Sequence, residues 1–399
     1  MLDALDIADI KSQLRVEAVV EALCKDTDLK PRGRTLWGLS PFNAERTPSF
    51  SVDPRKQVWH CFSTGQGGDA IALVQKLENL DFRGALDRLR SLGLIAQEAG
   101  KPRAQETAEQ KRSREKRAEA WRARQIEIAK QEFEETVAKM ATAQAIWKAA
   151  LPASGTLAET YLAARGIDCD ALERVYGWRV PPALRFVAAL PYRKDGADSI
   201  WPAMVGAMAL GPGEALTAVH RTYLARDGRG KADVPKAKLM LGAAWGSLAL
   251  LTPVMPAAVV GEGYETTLSA VSALARCGRR VCAISAGSLG NLAGGGLPEV
   301  LRKGQRRAIG KNGKPLPSTR PDPAKPGMLL PSGIAEVTIL ADNDGNDPEN
   351  ARRLIARAAA KFHANGLLVR VAWPPRGSDF NDLLTGAAPK QAAPRKVYA

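Results

Sequence analysis

An alternation of apolar strand-like runs and amphipathic segments fills residues 251–390 and constrains the fold of this 399-residue chain more than any other feature. The runs PAAVV, RRVCAIS, VTILA and LLVRVAW have the length and the β-branched composition of buried strands. The segments YETTLSAVSALARCG and NDPENARRLIARAAAKFHANG carry apolar residues at helical spacing. Strands that alternate with helices pair in parallel through right-handed crossovers. We therefore predict an α/β domain here, with a parallel sheet and flanking helices.

Acidic residues follow three of these predicted strands, namely Glu262, Asp342, Asp344, Asp379 and Asp382. The carboxyl ends of parallel strands meet at one edge of a sheet, where α/β proteins place their functional groups. Mg²⁺ prefers oxygen ligands, usually one or two carboxylates together with water and substrate phosphates. An acid after a strand can also simply form a turn or cap a helix, and we accept that interpretation for Asp382 alone. The set as a whole predicts a metal site for phosphoryl chemistry.

The charge balance of the chain favours a polyanionic partner. Its 57 Lys and Arg residues exceed its 42 Asp and Glu residues, which gives a formal net charge of +15 at pH 7. Cations that neutralise phosphates release condensed counterions, and this release drives nucleic-acid binding. A basic surface kept for solubility is the alternative interpretation. We predict nucleic acid as the partner.

Other bulk features predict a soluble, cytoplasmic protein. The 5 cysteines are dispersed and form no CxxC pair, a pattern typical of reduced thiols in a cytosolic chain. The N-terminal sequence MLDALDIADIKSQL lacks the basic and apolar regions of a signal peptide. No apolar run approaches the length of about 18 residues that a membrane span needs.

The acidic pattern resembles the Toprim family, the catalytic fold shared by bacterial primases, type IA and II topoisomerases and some nucleases. Its strand-end EG motif is matched by EGY from Glu262 onwards, and its DxD motif by DND from Asp342 onwards. The resemblance implies that Glu262 acts as a general acid/base or metal ligand, and that Asp342 and Asp344 bind Mg²⁺ or Mn²⁺. Asp379, in SDFND, is a further candidate metal ligand. Thr266 is a departure, because primases usually carry an aspartate at this position of the EGYxD motif.

The segment GLSPFNAERTPSFSVDPRKQVWHCFSTGQGGDAIALVQKLE closely resembles the N-terminal zinc ribbon of bacterial primases, through PF, TPSF, HCF and GGD. The positions of the family's four zinc ligands are occupied by Ser40, Asn43, Cys61 and Thr64. Zn²⁺ needs four sulfur or nitrogen ligands, so we predict that this domain binds no zinc. A core must then hold it together, and its aromatic candidates are Trp37, Phe42, Phe50, Trp59 and Phe62. The resemblance implies a domain that reads template DNA.

Residues 151–250 resemble the small α+β subdomain that precedes Toprim in phage and plasmid primases, through YLAARGI, PAMVGAM, AVHRTYL and PKAKLMLG. The resemblance implies a cleft that holds template and nucleotides. Four cations are candidate contacts to nucleic-acid or nucleotide phosphates, namely Arg221, Lys231, Lys236 and Lys238. Arg offers a bidentate fork and Lys a point charge. A solvated surface charge is the alternative for each, and we expect His220 to be structural.

These features divide the chain into five segments. They are a degenerate zinc-ribbon-like DNA-binding domain (1–96), a charged helical linker (97–150), a primase α/β subdomain (151–250), a Toprim catalytic domain (251–390) and a disordered tail (391–399). A nucleic-acid-binding arm is the alternative for the linker. No GxxxxGK[ST] loop is present, so we expect no fused helicase or ATPase. A helicase or replication protein would then be a separate partner.

The sequence predicts a DNA primase of a mobile element, which would be a nucleotidyltransferase that uses single-stranded DNA and NTPs. One alternative is a Toprim nuclease in which the same acids activate water, and the primase-like front half disfavours it. Another is a primase-derived DNA- or protein-binding module without catalysis, and the retained acidic set disfavours that. Products that need NTPs, DNA shortening without NTPs, and DNA binding alone distinguish the three functions.

Overall fold

The computed structural model describes residues 4–45, 47–64, 66–96, 107–194, 196–297, 316–343 and 347–386. Internal contacts divide these residues chiefly into two compact units, the first running to Glu134 and the second beginning at Glu135. The predicted tail, 391–399, lies outside the described residues. Throughout the described parts of the chain, every helix is too short or too polar to cross a lipid bilayer.

The first unit is an antiparallel sheet covered by short helices. Its elements are α1 (Ala4–Gln13), α2 (Val16–Leu23), β1 (Lys30–Arg32), β2 (Thr35–Gly38), β3 (Phe50–Asp53), β4 (Val58–Cys61), β5 (Gln66–Gly68), α3 (Ala70–Glu78) and α4 (Phe82–Ser91). The strands pair in sequence order, β1-β2-β3-β4-β5, as successive antiparallel neighbours. Phe50 and Trp59 are buried against helix residues such as Val20 and Leu73. This packing gives the unit a continuous apolar core.

The aromatic residues of this unit occupy two different faces of the sheet. Phe42 packs on the rings of Phe50 and Trp59 within the core, as predicted. Phe62 is 51% exposed and stacks on Trp37, which is half-buried and lies outside the core cluster, so the prediction of core positions for these two residues is wrong. Side chains alternate along a strand, so the inward Trp59 sends the side chains at even positions to the other face. Phe62, just past the end of β4, follows that alternation.

The charged segment after the first unit's sheet forms one long helix, α5 (Ala108–Ala149), which runs from the first unit into the second. Within the first unit, Arg114 pairs with Asp6 at 3.2 Å and Arg117 with Asp9 at 2.7 Å. These ion pairs hold the amino-terminal part of the helix on α1. A helix with so few apolar residues depends on such contacts, because it has no wide apolar face to bury.

The second unit begins with an antiparallel sheet. Its elements are β6 (Leu151–Pro152), α6 (Leu157–Ala164), α7 (Cys169–Tyr176), β7 (Leu184–Lys194), β8 (Ala197–Ala209), β9 (Leu216–Tyr223) and β10 (Lys238–Gly242). The strand order is β10-β9-β8-β7-β6. One face packs around Tyr192 and Tyr223 with the end of α5. The other face shares a core with Tyr264 and Leu268 of the next domain.

The rest of the second unit is an α/β domain with a mostly parallel sheet, as predicted. Its elements are β11 (Ala249–Leu250), β12 (Ala257–Gly261), α8 (Tyr264–Arg276), β13 (Cys282–Ser285), α9 (Leu289–Ala293), β14 (Glu336–Leu340), α10 (Pro348–Ala364), β15 (Leu368–Ala372) and α11 (Phe380–Thr385). The strand order is β11-β13-β12-β14-β15. Strands β13, β12, β14 and β15 are parallel to their neighbours in this order, and the edge strand β11 is antiparallel to β13.

Candidate active site

The register of the parallel sheet aligns the carboxyl ends of its strands. Gly261 lies opposite both Ser285 and Leu340. Glu262 therefore leaves β12 beside the point where the chain leaves β14 towards Asp342. Both acidic side chains are half-buried. The sheet thus brings two of the predicted acids to the same edge, while the predicted Asp344 lies outside the described residues.

The loop that carries SDFND is hydrogen-bonded to the backbone of Asn343, the residue after Asp342. The N–H of Asn343 donates to the carbonyl of Ser378 at 3.2 Å, and the N–H of Gly377 donates to the carbonyl of Asn343 at 3.0 Å. The side-chain amide of Asn343 also donates to the carbonyl of Pro374 at 3.0 Å. This pairing places Asp379 next to the strand end that carries Asp342.

Asp379 and Asp382 form a capping box at the start of α11. An oxygen of Asp379 accepts from the N–H of Asp382 at 2.7 Å, and an oxygen of Asp382 accepts from the N–H of Asp379 at 3.1 Å. This arrangement satisfies two backbone donors at the helix terminus. The helix-cap interpretation of Asp382 therefore matches the geometry. Asp379 shares that cap, and its role as a metal ligand stays a prediction.

Thr266 occupies the position at which the Toprim motif of primases usually carries an aspartate. Its side chain is buried, and its hydroxyl donates to a carboxylate oxygen of Asp342 at 3.2 Å. A neutral donor here orients the Asp342 carboxylate without adding a second negative charge. Threonine in place of aspartate removes one negative charge from the acidic edge, by which we mean the edge of the parallel sheet that carries Glu262 and Asp342. The hydroxyl of Thr266 still holds the Asp342 carboxylate.

A buried ion pair connects the antiparallel sheet to this edge. Lys238, the first residue of β10, donates from Nζ to Oε2 of Glu265 at 2.8 Å. The hydroxyl of Tyr161 donates to Oε1 of the same carboxylate at 2.7 Å. Burial opposes ionisation of Glu265, but the charges of Lys238 and Lys231 and these hydrogen bonds hold its pKa well below the usual range. Glu265 is thus a buried carboxylate with both oxygens engaged.

The ammonium group of Lys238 lies close to the acidic edge. A Cβ atom built on Gly263 would be 3.7 Å from Nζ of Lys238. Gly263 directly follows Glu262, so the cation lies near the residue next to a candidate catalytic carboxylate. Sequence reasoning selected Lys238 and Glu262 but missed Glu265 and Tyr161. The letters EGYET carried a signal, because they place a second acid three residues after Glu262, and a carboxylate is costly to bury without a partner.

The other predicted cations lie in different surroundings. Lys231 is within electrostatic reach of Glu265 and Lys238, and the surrounding protein together with the charge of Lys238 lowers the pKa of Lys231. Lys236 is exposed. Arg221 points to the opposite face of the antiparallel sheet, where its guanidinium lies over the ring of Tyr223. Of the four cations, the structure brings Lys238 and Lys231 towards the acidic edge and turns Arg221 away.

His220 is buried on the face of the sheet that meets Tyr264, and the two rings meet edge to face at 5.0 Å between centroids. Burial and the positive charge of Lys238 lower its pKa to about 4. Its Nδ1 atom has no hydrogen-bond partner among the described residues. A neutral, buried imidazole packed on a tyrosine suits the structural role expected for it.

The four zinc-ligand positions of the first unit contain a hydrogen-bonded cluster. The Sγ atom of Cys61 lies 3.2 Å from Oγ of Ser40 and 3.0 Å from Oγ of Ser63. The Ser63 hydroxyl donates to Oδ1 of Asn43 at 2.8 Å. Burial opposes ionisation of Cys61, yet the hydrogen bonds of these hydroxyls lower its pKa. Thr64, at the fourth position, is half-buried.

Glu45 extends this cluster from the loop between β2 and β3. Its Oε1 atom accepts from the N–H groups of Ser40 and Ser49 at 2.8 and 3.0 Å. Its Oε2 atom accepts from the hydroxyl of Ser49 at 2.7 Å and from the amide of Asn43 at 3.4 Å. One thiol among hydroxyl and amide groups does not fit tetrahedral zinc, which binds thiolates and imidazoles. The absence of bound zinc stays a prediction.

The donor atoms at the acidic edge suit a different ion. Glu262 and Asp342 offer carboxylate oxygens, which Mg²⁺ and Mn²⁺ prefer. Among the residues that the structure describes, no group of three or more His, Cys, Asp or Glu side chains is arranged to hold a metal. That statement does not extend to Asp344, the second acid of the DxD motif. Glu262 and Asp342 offer oxygen ligands, and their role in binding a metal stays a prediction.

Three family models match the chain along its length. The CHC2 zinc finger matches residues 2–103, the Domain of unknown function (DUF7146) matches residues 137–251, and the Toprim domain matches residues 327–389. The DNA primase of Geobacillus stearothermophilus is 44% identical over 71 residues, which are 18% of this chain and 12% of the relative. In its CHC2 zinc-finger and Toprim regions, the chain is similar to DNA primases of the Toprim type. The Toprim match begins after Glu262, and the sheet pairing of β12 with β14 connects Glu262 to it.

Other DNA primases match the chain over similarly short regions. The DNA primase of Mycolicibacterium smegmatis is 42% identical over 85 residues, 21% of this chain and 13% of the relative. The chain thus matches about an eighth of the length of these curated relatives. The crystal structure of the zinc-binding and RNA polymerase domains of the Aquifex aeolicus primase is 16% identical, covering 95% of this chain and 82% of that chain. Its TM-score of 0.33 is too low to support an argument about architecture.

Proposed function

We propose that this protein is a DNA-directed primase that joins nucleotides into short primers on single-stranded DNA by Mg²⁺-dependent nucleotidyl transfer. One observation supports the proposal: two acidic residues follow adjacent strands, and a lysine ammonium lies near the residue that follows the first of them. Glu262 and Asp342 follow adjacent parallel strands, and the ammonium of Lys238 lies against Gly263. Carboxylates suit a divalent ion, and a lysine suits a phosphate. Transfer of a nucleotide needs both groups close together.

The acidic edge is the place that we assign to Mg²⁺ or Mn²⁺. Glu262, Asp342, Asp344 and Asp379 would hold the ion, with Thr266 orienting the Asp342 carboxylate through its 3.2 Å hydrogen bond. When bound, such an ion offsets the negative charge that builds up on phosphate oxygens in the transition state. Its oxygen ligands would be supplied in part by the substrate and by water.

The protein side chains would position the reactants and accept a proton. In the reaction, a 3′-hydroxyl oxygen forms a bond to the α-phosphorus of a nucleoside triphosphate, and the bond from that phosphorus to the bridging oxygen breaks to release pyrophosphate. Glu262, half-buried at a strand end, is the candidate acceptor of the hydroxyl proton. Lys238 would contact a phosphate and keep it next to Glu262. Catalysis would come mainly from positioning and charge stabilisation.

The outer face of the first unit's sheet supports a role in binding the template. Trp37 and Phe62 stack with ring centroids 5.2 Å apart, and His60 meets Phe62 at 4.4 Å. The guanidinium of Arg32 lies 5.2 Å from the Trp37 ring. Exposed aromatic rings with nearby cations stack on the bases of single strands. We assign contact with single-stranded DNA to this face, with the net charge of +15 supporting it.

Two finer parts of the proposal concern the setting of the enzyme. The match of YLAARGI and PKAKLMLG to phage and plasmid primases supports an origin in a mobile element. We propose that a separate helicase or replication protein unwinds the template.

Primer synthesis tests the proposal. Purified protein would be incubated with single-stranded DNA, Mg²⁺ or Mn²⁺, and all four NTPs, and the products resolved by size. Short products that need NTPs support a primase. Shortening of the DNA without NTPs would instead identify a nuclease. Salt-sensitive binding of single-stranded DNA with neither activity would contradict the proposal and identify a binding module.

A further inference from the structure

Glu265 is an unusual residue to find buried where it is. Its side chain lies at the start of α8 and is 7% exposed, and its pKa stays well below the usual range because cations and hydrogen-bond donors compensate for burial. A buried carboxylate is costly to desolvate and is retained only with close partners. Its partners come from two other elements, Tyr161 of α6 and Lys238 of β10. Three separate segments therefore converge on one carboxylate.

The same carboxylate sets the position of the Lys238 ammonium. Lys238 is partly exposed, with 33% of its side chain accessible, so its tip can reach a ligand while Nζ is held at 2.8 Å from Oε2 of Glu265. A free lysine side chain samples many rotamers, and an ion pair with a buried partner selects one of them. Oε2 of Glu265 and Nζ of Lys238 both lie within 4 Å of a Cβ built on Gly263. Any residue larger than glycine at that position would contact both groups.

The charges around Glu265 explain why Lys238 needs such a partner. Lys231 and Arg165 also lie within electrostatic reach of this carboxylate. The positive charges of Lys238 and Lys231 repel each other, and this repulsion contributes to the lowered pKa of Lys231. A single buried negative charge among these cations offsets the repulsion. Glu265 thus offsets the positive charge of both lysines and contacts Lys238 directly.

We propose that Glu265 is a positioning residue, which holds the Lys238 ammonium against Gly263 so that it binds a phosphate at the acidic edge. This inference rests on the proposed primase function for the identity of the substrate. The phosphate belongs either to the incoming nucleoside triphosphate or to the nucleic-acid strand, which present the same group to a lysine. Glu265 itself contacts neither the substrate nor the metal.

Steady-state primer synthesis by Glu265→Gln tests this role. Glutamine keeps the shape of the side chain and an acceptor for Tyr161, but it removes the negative charge that holds Lys238. If the phosphate is that of the nucleotide, KM for NTPs rises about tenfold with a smaller change in kcat. If it is that of the strand, the Kd for single-stranded DNA rises instead. Glu265→Asp, which keeps the charge with a shorter reach, should recover part of the loss.

A double-mutant cycle with Lys238→Ala separates positioning from general damage to the fold. If Glu265 acts through Lys238, the double variant Lys238→Ala/Glu265→Gln is no worse than Lys238→Ala alone. Effects that simply add, or a Glu265→Gln variant with unchanged KM and unchanged Kd, would overturn the proposal.

A measurement without activity keeps this inference distinct from the primase proposal. The rate at which an amine-acylating reagent modifies Lys238, followed by mass spectrometry in the native protein, reports whether its ammonium is held. Glu265→Gln should raise that rate several-fold, Glu265→Asp should raise it less, and both should leave the exposed Lys236 unchanged. If the wild-type protein makes no primers but the Lys238 rate changes in this way, the primase proposal fails and the positioning of Lys238 stands. Equal Lys238 rates in all three proteins would refute the positioning.

Discussion

The hydrogen bond from Thr266 to Asp342 orients a carboxylate that is a candidate metal ligand. Thr266 is buried and donates at 3.2 Å to a carboxylate oxygen of Asp342. Groups that orient a metal ligand without touching the metal commonly change metal affinity tenfold to a hundredfold when they are removed. A neutral hydroxyl also avoids placing a second carboxylate beside Asp342. Threonine at the position where primases usually carry aspartate therefore holds the Asp342 carboxylate through a neutral hydrogen bond.

We predict that Thr266→Val raises the Mg²⁺ concentration for half-maximal primer synthesis about tenfold, because the isosteric valine cannot orient Asp342. Thr266→Ser keeps the hydroxyl and should stay close to the wild-type protein. Titration of Mg²⁺ at saturating NTP measures this concentration. An unchanged Mg²⁺ requirement in Thr266→Val would show that the hydroxyl does not orient Asp342.

His220 makes the second unit sensitive to mild acid. Its pKa is about 4 in the folded protein against an ordinary value of 6.5, because burial and Lys238 disfavour the charged ring. Between these two pH values the unfolded chain binds a proton that the folded chain does not bind. The free energy of unfolding therefore decreases as the pH falls from about 6.5 towards 4.

We predict that this residue makes the free energy of unfolding about 1 kcal/mol lower at pH 5.5 than at pH 7.5. His220→Leu should remove that difference, while the exposed His363→Leu should retain it. Urea unfolding followed by tryptophan fluorescence at both pH values gives the comparison. The same pH dependence in wild-type protein and in His220→Leu would contradict the buried, neutral histidine.

At the residue scale, the sequence predicted groups that belong to local motifs and missed groups that act through distant partners. Glu262 and Asp342 were recognisable because EGY and DND each follow an apolar run. Glu265 was not, because Tyr161 and Lys238 lie 104 and 27 residues away from it. Short motifs can predict which acidic side chains follow a strand. An ion pair between distant elements cannot be predicted in this way, because it forms only when those elements pack together.

Among the elements, the zinc-ribbon fold of the first unit shows how a polar cluster can occupy a metal site. Ser40, Asn43, Cys61 and Ser63 are joined by hydrogen bonds, and Glu45 ties the loop between β2 and β3 to this cluster. In zinc ribbons the metal supplies folding free energy. Here hydrogen bonds to a carboxylate and the aromatic core would have to supply it.

We predict that the purified protein contains no stoichiometric zinc and that EDTA leaves its melting temperature unchanged. Glu45→Gln should lower the free energy of unfolding by about 1–2 kcal/mol, because it weakens several charge-assisted hydrogen bonds. The exposed Glu21→Gln is a matched control and should have little effect. Metal analysis and urea unfolding make these measurements. One equivalent of zinc, or a lower melting temperature in EDTA, would contradict this account of the site.

At the element scale, the sequence predicted the parallel sheet correctly and placed Trp37 and Phe62 wrongly in the core. The strand–helix alternation was long and regular, so its period determined the fold class. Phe62 was counted as core because it is aromatic, but the alternation along β4 carries it to the outer face with His60. The sequence around Phe62 does not state which face of the short sheet is buried. Packing of α2 and α3 decides that.

The chain as a whole is basic, but the acidic edge of its parallel sheet carries Glu262 and Asp342. Its net charge of +15 suits a polyanion, and the acids of the parallel sheet gather where Lys238 also arrives. The composition alone could predict the class of partner. The meeting of Lys238 with Gly263 depends on the packing of the antiparallel sheet on α8, which composition does not reveal.

The most direct test of the central claim is template-directed incorporation of a labelled nucleotide. Wild-type protein with Mg²⁺ would be given ATP on an oligo-dT template and, separately, on an oligo-dC template. We predict that adenylate enters short products on oligo-dT alone, and that Glu262→Gln and Asp342→Asn abolish the products while single-stranded DNA binding persists. Products that ignore the template, or that survive both substitutions, would contradict nucleotidyl transfer at this edge.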